Sequence, residues 1–159
     1  AKIEDYTVFV VMNARGEVVF RDRFRRVDWA VQVARVGAAS ERYGHPRMLV
    51  DTTGQGEPVY ESLRVAGCSA RAYPLSSASK TALVNNLAML IEQRRITIPR
   101  TELFPEMVDE LESFEYNVTD EGTVRMSSPL GAHDDCVISL ALACWELRPR
   151  TELFATWAG

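Results

Sequence analysis

The period of the hydrophobic pattern changes repeatedly along this chain, and the changes divide it into strands and helices. Residues 6–12 are β-branched, aromatic and apolar on both faces, the pattern of a strand covered on both sides. Asn13 to Gly16 has turn composition. Residues 17–26 then alternate, which sets Val18, Phe20 and Phe24 on one face and Arg21, Arg23 and Arg25 on the other. The two strands are expected to pair as an antiparallel hairpin. Asp28 is a candidate N-cap for a helix over 29–43 with Val31, Ala34, Val36 and Ala38 as its apolar positions, closed by Gly44 and Pro46. A short buried strand over 47–51 follows, ending in the carboxylate of Asp51. A glycine-bearing turn leads from it into a helix over 57–66, with Pro58 in the first turn where proline is tolerated.

Further along, the pattern predicts a strand over 68–75 and a helix that starts at the serine-rich stretch 76–80 and runs to Arg94. Leu83, Leu87, Leu90 and Ile91 form its stripe. A short edge strand over 96–98, an amphipathic helix over 105–116 burying Met107, Val108, Leu111 and Phe114, and a hairpin over 117–126 turning near 120–122 come next. The last element is the most apolar. From Cys136 to Leu147 only Ser139 and Glu146 are clearly polar, so a helix here is apolar on nearly every face and belongs inside the domain. Its first turn carries Asp134 and Asp135 side by side. One of them can act as an ordinary N-cap with a dipole-favoured neighbour. Alternatively, two like charges at the edge of a low-dielectric core are offset by a bound cation.

An antiparallel start followed by alternating helices and strands is an α/β order with a mixed sheet. Asp51, at the carboxyl end of a strand and before a turn, stands where open α/β sheets keep their sites. Meeting Asp134 and Asp135 over the sheet edge, it would form an oxygen-rich cluster suited to Mg2+ or Mn2+. Two such ions about 4 Å apart activate a water and stabilise the leaving oxygen in phosphodiester hydrolysis. His133 is a candidate ligand or proton carrier, against an ordinary hydrogen-bonding role near a cap. The arginine face of the second strand suits a phosphate backbone, or equally a charged edge that keeps sheets from pairing.

Composition narrows these readings. With 159 residues, 47% apolar and 25% charged, the chain has the size and balance of one soluble globular domain. A net charge of −4 argues against coating nucleic acid by bulk charge, and leaves local contacts through Arg21, Arg23, Arg25 and the Lys80 region. Cys68, Cys136 and Cys144 have no metal-ligand spacing and read as reduced core residues of a cytosolic protein. No run is long enough to span a membrane, and no phosphate-binding Gly-x-x-x-x-Gly-Lys-Ser/Thr loop occurs, so ATP is not an expected ligand. The letters of residues 100–104 recur at 150–154 with unmatched flanks, which reads as coincidence.

Lys2, Asp5 and Thr7 near the start, Asp51, Thr53, Gly54 and Gly56, then Ser79 and Lys80, then Asp109 to Leu111, and finally His133, Asp134 and Asp135 before Leu-Ala-Leu-Ala stand in a telling order and spacing. The set resembles the C-terminal nuclease domain of the large terminase subunit of tailed bacteriophages, over nearly the whole chain. The resemblance implies an RNase H-like mixed sheet with an antiparallel hairpin start and flanking helices, in the broad group of RuvC-type junction resolvases. Residues 1–149 would be the nuclease domain and 150–159 a C-terminal tail. It also implies a Mg2+- or Mn2+-dependent endonuclease that cuts concatemeric double-stranded viral DNA during genome packaging in the host cytoplasm. Portal protein and small terminase subunit would be its partners in the full assembly, with no membrane involved. By the resemblance Asp51 is the second acidic ligand and the Asp134–Asp135 pair the third. The family's first acidic ligand, with the first strand, lies before the position of Ala1, and Asp5 matches a different position. The first strand is therefore expected to be missing from the given chain. Either the chain is a stretch of a longer polypeptide or it is a truncated, inactive form, and the cost of removing a central strand favours the former. The rival readings are a non-catalytic RNase H-like module that docks on portal or DNA through its tail and arginine strand, and a junction resolvase of the same fold.

Overall fold

The first two strands pair as their alternation and turn composition dictate. In the computed structural model, which describes residues 6–118, 124–127 and 133–147, β1 (Thr7–Met12) and β2 (Val18–Phe24) form an antiparallel hairpin. Asn13 builds the turn by accepting the backbone N–H groups of Arg15 and Glu17 on its side-chain oxygen, each at 3.0 Å. Gly16 adopts φ +81°, and a Cβ there would collide with the Arg95 carbonyl, so no other residue fits. The register shifts between Val11 and Met12, so that Met12 faces Val18. This bulge corrects the expected faces of β2. Val18 leaves Phe20 and joins Val8, Val10 and Met12 against the core, while Phe20 stacks on Phe9 and Tyr43 at the opposite face. Arg21 and Arg23 stand opposite Val10 and Val8, which puts them on the core-facing side of the hairpin.

Helix α1 (Trp29–Arg42) is tied to this hairpin by Arg35, which forks onto Asp22 at 2.6 and 2.7 Å and lies over the Phe24 ring. Its apolar positions are less buried than their spacing suggests: Val31 is 47% exposed, and the buried residues are Ala39 and Ser40. Strands β3 (Met48–Val50) and β4 (Ala70–Ala72) pair in parallel, with α2 (Gly56–Val65) as the crossover between them. Helix α3 (Ser77–Glu92) opens on a capping box between Ser76 and Ser79, and α4 (Pro105–Ser113) carries its proline in the first turn. Strands β5 (Glu115–Val118) and β6 (Val124–Ser127) pair antiparallel, starting before the expected hairpin because α4 ends at Ser113. Residues 96–98 make only an isolated bridge, Thr97 with Glu17. The turn expected near 120–122, the lead-in to the last helix, the 150–159 tail, and Lys2 and Asp5 lie outside the described residues.

The core gathers around α5 (Asp135–Cys144), whose Cys136, Val137, Leu140, Ala141 and Cys144 are at most 1% exposed. Leu83, Leu87 and Leu90 of α3, with Phe104 and Met107 at the start of α4, enclose it. Ile91 is 46% exposed, against expectation, because it sits about 100° around the helix from Leu90, off the buried row. The described strands form three two-stranded sheets, β1–β2, β3–β4 and β5–β6. β1 and β3 line a common cleft along their full lengths, with Ile138, Ser139 and Leu142 of α5 also on its wall. Side chains of α5 reach the β1 backbone there: Ser139 donates to the Val8 carbonyl at 3.2 Å, and Asp135 accepts the Tyr6 N–H at 3.1 Å.

Burial pushes the thiols of Cys136 and Cys144 up from 9.0 to about 12, and the Glu110 carboxylate beside Cys136 adds to its shift. Cys68 is only half-buried, so the expectation of three core cysteines holds for two. A thiol that ionises near 9 when unfolded and near 12 when folded contributes stability that is complete below pH 9 and lost as pH rises toward 12. At about pH 8 an aromatic disulfide reagent is expected to titrate about one thiol of the native protein, and all three only after denaturation. The denaturation midpoint is expected to fall as pH is raised from 9 toward 12.

Candidate active site

Asp51 is the first residue beyond β3, and its carboxylate is set by a tight local turn. Oδ1 accepts the N–H of Thr53 at 2.8 Å, and the Thr53 hydroxyl accepts the N–H of Leu75 at 2.8 Å, which ties the turn to the segment after β4. The two glycines that follow have separate reasons. Gly54 is left-handed at φ +61°, and a Cβ on Gly56 would overlap the carbonyl of Asp51 itself. The Asp-x-Thr-Gly-x-Gly spacing is thus the geometry that folds a helix back beneath an acid at a strand end.

From the facing side, the capping box of α3 places Lys80 in that helix's first turn. Its ammonium stands 2.7 Å from Asp134 Oδ2, with both side chains a little over a quarter exposed. Asp135 accepts the Tyr6 N–H and stands 3.7 Å from His133 Nδ1. The His133 ring meets that of Tyr6 edge-on at 5.1 Å, and the Arg23 guanidinium lies 3.5 Å above the same tyrosine. Asp51, Lys80, Asp134 and Asp135 all line the long cleft between β1 and β3.

Among the described residues no three His, Cys, Asp or Glu side chains converge closely enough to hold a metal ion. The close cation of Asp134 is Lys80. Lys80 thus stands against an acid of the cleft. The arginine strand is also divided. Arg21, itself exposed, donates to the Leu103 carbonyl at 2.7 Å and covers the Phe104 ring, Arg23 lies over Tyr6, and Arg25, also exposed, stands 5.2 Å from the same tyrosine and lines the cleft. The three therefore do not form a plain solvated edge, since each guanidinium lies over an aromatic ring.

Sequence reasoning included Glu110 only within the Asp109 to Leu111 motif and gave it no role. This α4 residue is 7% exposed, and its Oε2 accepts the N–H groups of Cys136 at 2.6 Å and Val137 at 3.2 Å, at the start of α5. The signal was present: Glu110 falls in the apolar stripe of Met107, Leu111 and Phe114, where a carboxylate needs a partner.

The domain is mixed α/β, with acids at a strand end and at the mouth of a buried helix, both lining one cleft. The chain belongs to the family described as the terminase RNaseH-like domain, whose model matches residues 1–146. It is 38% identical over 144 residues to the terminase large subunit of Thermus virus P23-45, a match that covers 89% of the chain and 29% of that protein. The large subunit of Thermus phage G20c matches to the same extent, so the chain spans less than a third of these relatives. The crystal structure of the large terminase nuclease from phage G20c superposes with a TM-score of 0.81 at 36% identity, covering 91% of the chain and 76% of the solved one. The same nuclease with bound magnesium superposes at 0.80 and 37% identity, covering 90% and 75%. The RNase H-like fold is thereby shown.

Gly56→Ala tests the geometry at Asp51. The added methyl must displace the Asp51 carbonyl, and overpacking of this kind costs about 1–3 kcal/mol. A lower melting temperature is expected, and any activity that depends on Asp51 should fall further than the loss of folded protein accounts for. An unchanged melting temperature would show that the turn gives way freely.

Proposed function

We propose that this chain is the nuclease domain of a viral large terminase, hydrolysing phosphodiester bonds of double-stranded DNA with the help of divalent metal. The observation that supports the reading is that Asp51, Asp134 and Asp135 line one cleft, with Lys80 beside Asp134. The donor set is all carboxylate oxygen, which fits Mg2+ or Mn2+ rather than a soft metal. Asp51, Asp134 and Asp135, which line the cleft without converging as a ready-made cage, would have to close on the ion to hold it, and His133 would serve through Asp135, which it approaches. Bound there, a divalent ion supplies Lewis acidity and a water of lowered pKa. The chain's own side chains do the rest. Tyr6 N–H and His133 orient Asp135, the Thr53 turn orients Asp51, and Arg25 and Lys80 supply positive charge where DNA phosphates would enter. Arg21 and Arg23 would support that surface by fixing the aromatic rings beneath them. With a net charge of −4, binding to DNA should be weak and strongly salt-sensitive.

In a packaging protein the substrate would be concatemeric viral DNA in the host cytoplasm, with the portal and the small terminase subunit as partners. No helix among the described residues is long and apolar enough to cross a membrane. The Lys80–Asp134 pair gives a second reading some footing, since a neutralised acid suits a non-catalytic docking module.

Nicking of supercoiled plasmid distinguishes the two. A polypeptide extended upstream to include the first strand is expected to nick plasmid with Mn2+, and Asp51→Ala to lower the rate about 100-fold or more. Undiminished cutting by Asp51→Ala would sink the nuclease reading, and preference for four-way junctions over linear duplex would move it to a resolvase.

A further inference from the structure

We infer that Glu110 is a positioning residue of the acidic cleft, holding the start of α5 so that Asp134 is kept out of its own helix cap and free to face the cleft. The inference rests on the nuclease reading for its consequence, though not for its geometry. An aspartate at an N-cap ordinarily accepts the N–H of the second or third helical residue. Asp134 occupies the N-cap of α5 and makes no such bond. The second and third helical residues are Cys136 and Val137, and their N–H groups go to Glu110 Oε2. Glu110 thus holds the two donors that Asp134 would otherwise take. The consequence is visible at once: the Asp134 carboxylate reaches Lys80 at 2.7 Å across the cleft mouth.

The cost of this arrangement is also visible. Glu110 is 93% buried, its other oxygen, Oε1, finds no hydrogen-bond partner among the described residues, and its charge helps hold the neighbouring Cys136 thiol neutral. A helix cap alone does not require a buried carboxylate on a second helix, because an aspartate at the N-cap can provide one from an extended backbone, whereas Asp134 is held at φ −127°, ψ 13°. Delivering the cap from α4 makes sense when Asp134 is needed elsewhere.

The test uses the whole chain, with Mn2+ alone as the calorimetric probe and the nitrogen resonance of the Lys80 ammonium as a probe of its ion pair. In Glu110→Ala, Asp134 is expected to rotate back onto the helix end, which removes the ion-paired Lys80 signal and weakens Mn2+ binding about tenfold or more. Glu110→Gln retains an acceptor oxygen and should recover most of both. Asp134→Asn should lower Mn2+ affinity in the native background and change it little further in Glu110→Ala, because the two act through one carboxylate. A general structural role would instead give additive losses. If alanine unfolds the domain, Glu110→Leu fills the same volume without an acceptor and carries the same expectation. An intact Lys80 signal in the folded variant, or additive losses, overturns the inference. Absence of Mn2+ binding by the native chain counts against the nuclease reading, and the Lys80 signal then decides the role of Glu110 alone.

Discussion

The constraint on which the rest of the structure depends is the burial of α5. A helix that is apolar on nearly every face cannot lie on a surface, so α3, α4 and β1 close around it and define the core. Enclosing such a helix leaves its ends, with Ser139 bonded to β1, as its polar parts. The N-terminal end carries adjacent carboxylates, and it opens onto the cleft between β1 and β3. The position of the site is therefore a consequence of the packing, because the acids emerge where the core stops.

Once there, the two acids are kept apart by partners of different kinds. Asp134 meets the ammonium of Lys80, and Asp135 accepts a backbone N–H from Tyr6 and approaches His133. Neither is neutralised within its own helix. Glu110 takes over the helix end from α4, so the local rule that an N-cap aspartate serves its own helix gives way to a tertiary contact. The choice between a cap and a cleft acid, open when only the Asp134–Asp135 pair is considered, turns on a residue twenty-four positions upstream in sequence.

Much of the fold was legible because its signals are local. The turn at Asn13 to Gly16, the serine cap of α3, the proline at the start of α4 and the apolar run of α5 each act through neighbours within a few residues. The failures share the opposite property. The bulge that moves Val18 to the core face depends on how Met12 meets its partner, and the exposure of Val31 depends on what packs against α1. Of the site, Asp51, Asp134 and Asp135 were legible as acids at element ends. The pairing of Lys80 with Asp134 was not, because it joins two helices that no spacing rule connects.

The arginine strand shows how one pattern can serve two ends. Three arginines at alternate positions read as a single charged face, yet their surroundings differ along the strand. Arg21 and Arg23 stand opposite core-facing valines and cover the rings of Phe104 and Tyr6, where the planar guanidinium is held by its face as well as its charge. Arg23 thereby steadies Tyr6, whose backbone N–H holds Asp135. Arg25, just past the end of β2, stands 5.2 Å from the same Tyr6 ring and lines the cleft, and like Arg21 it is exposed. The one pattern thus does both things at once, because a guanidinium can cover a ring with its face and still leave its charge at the surface of the hairpin.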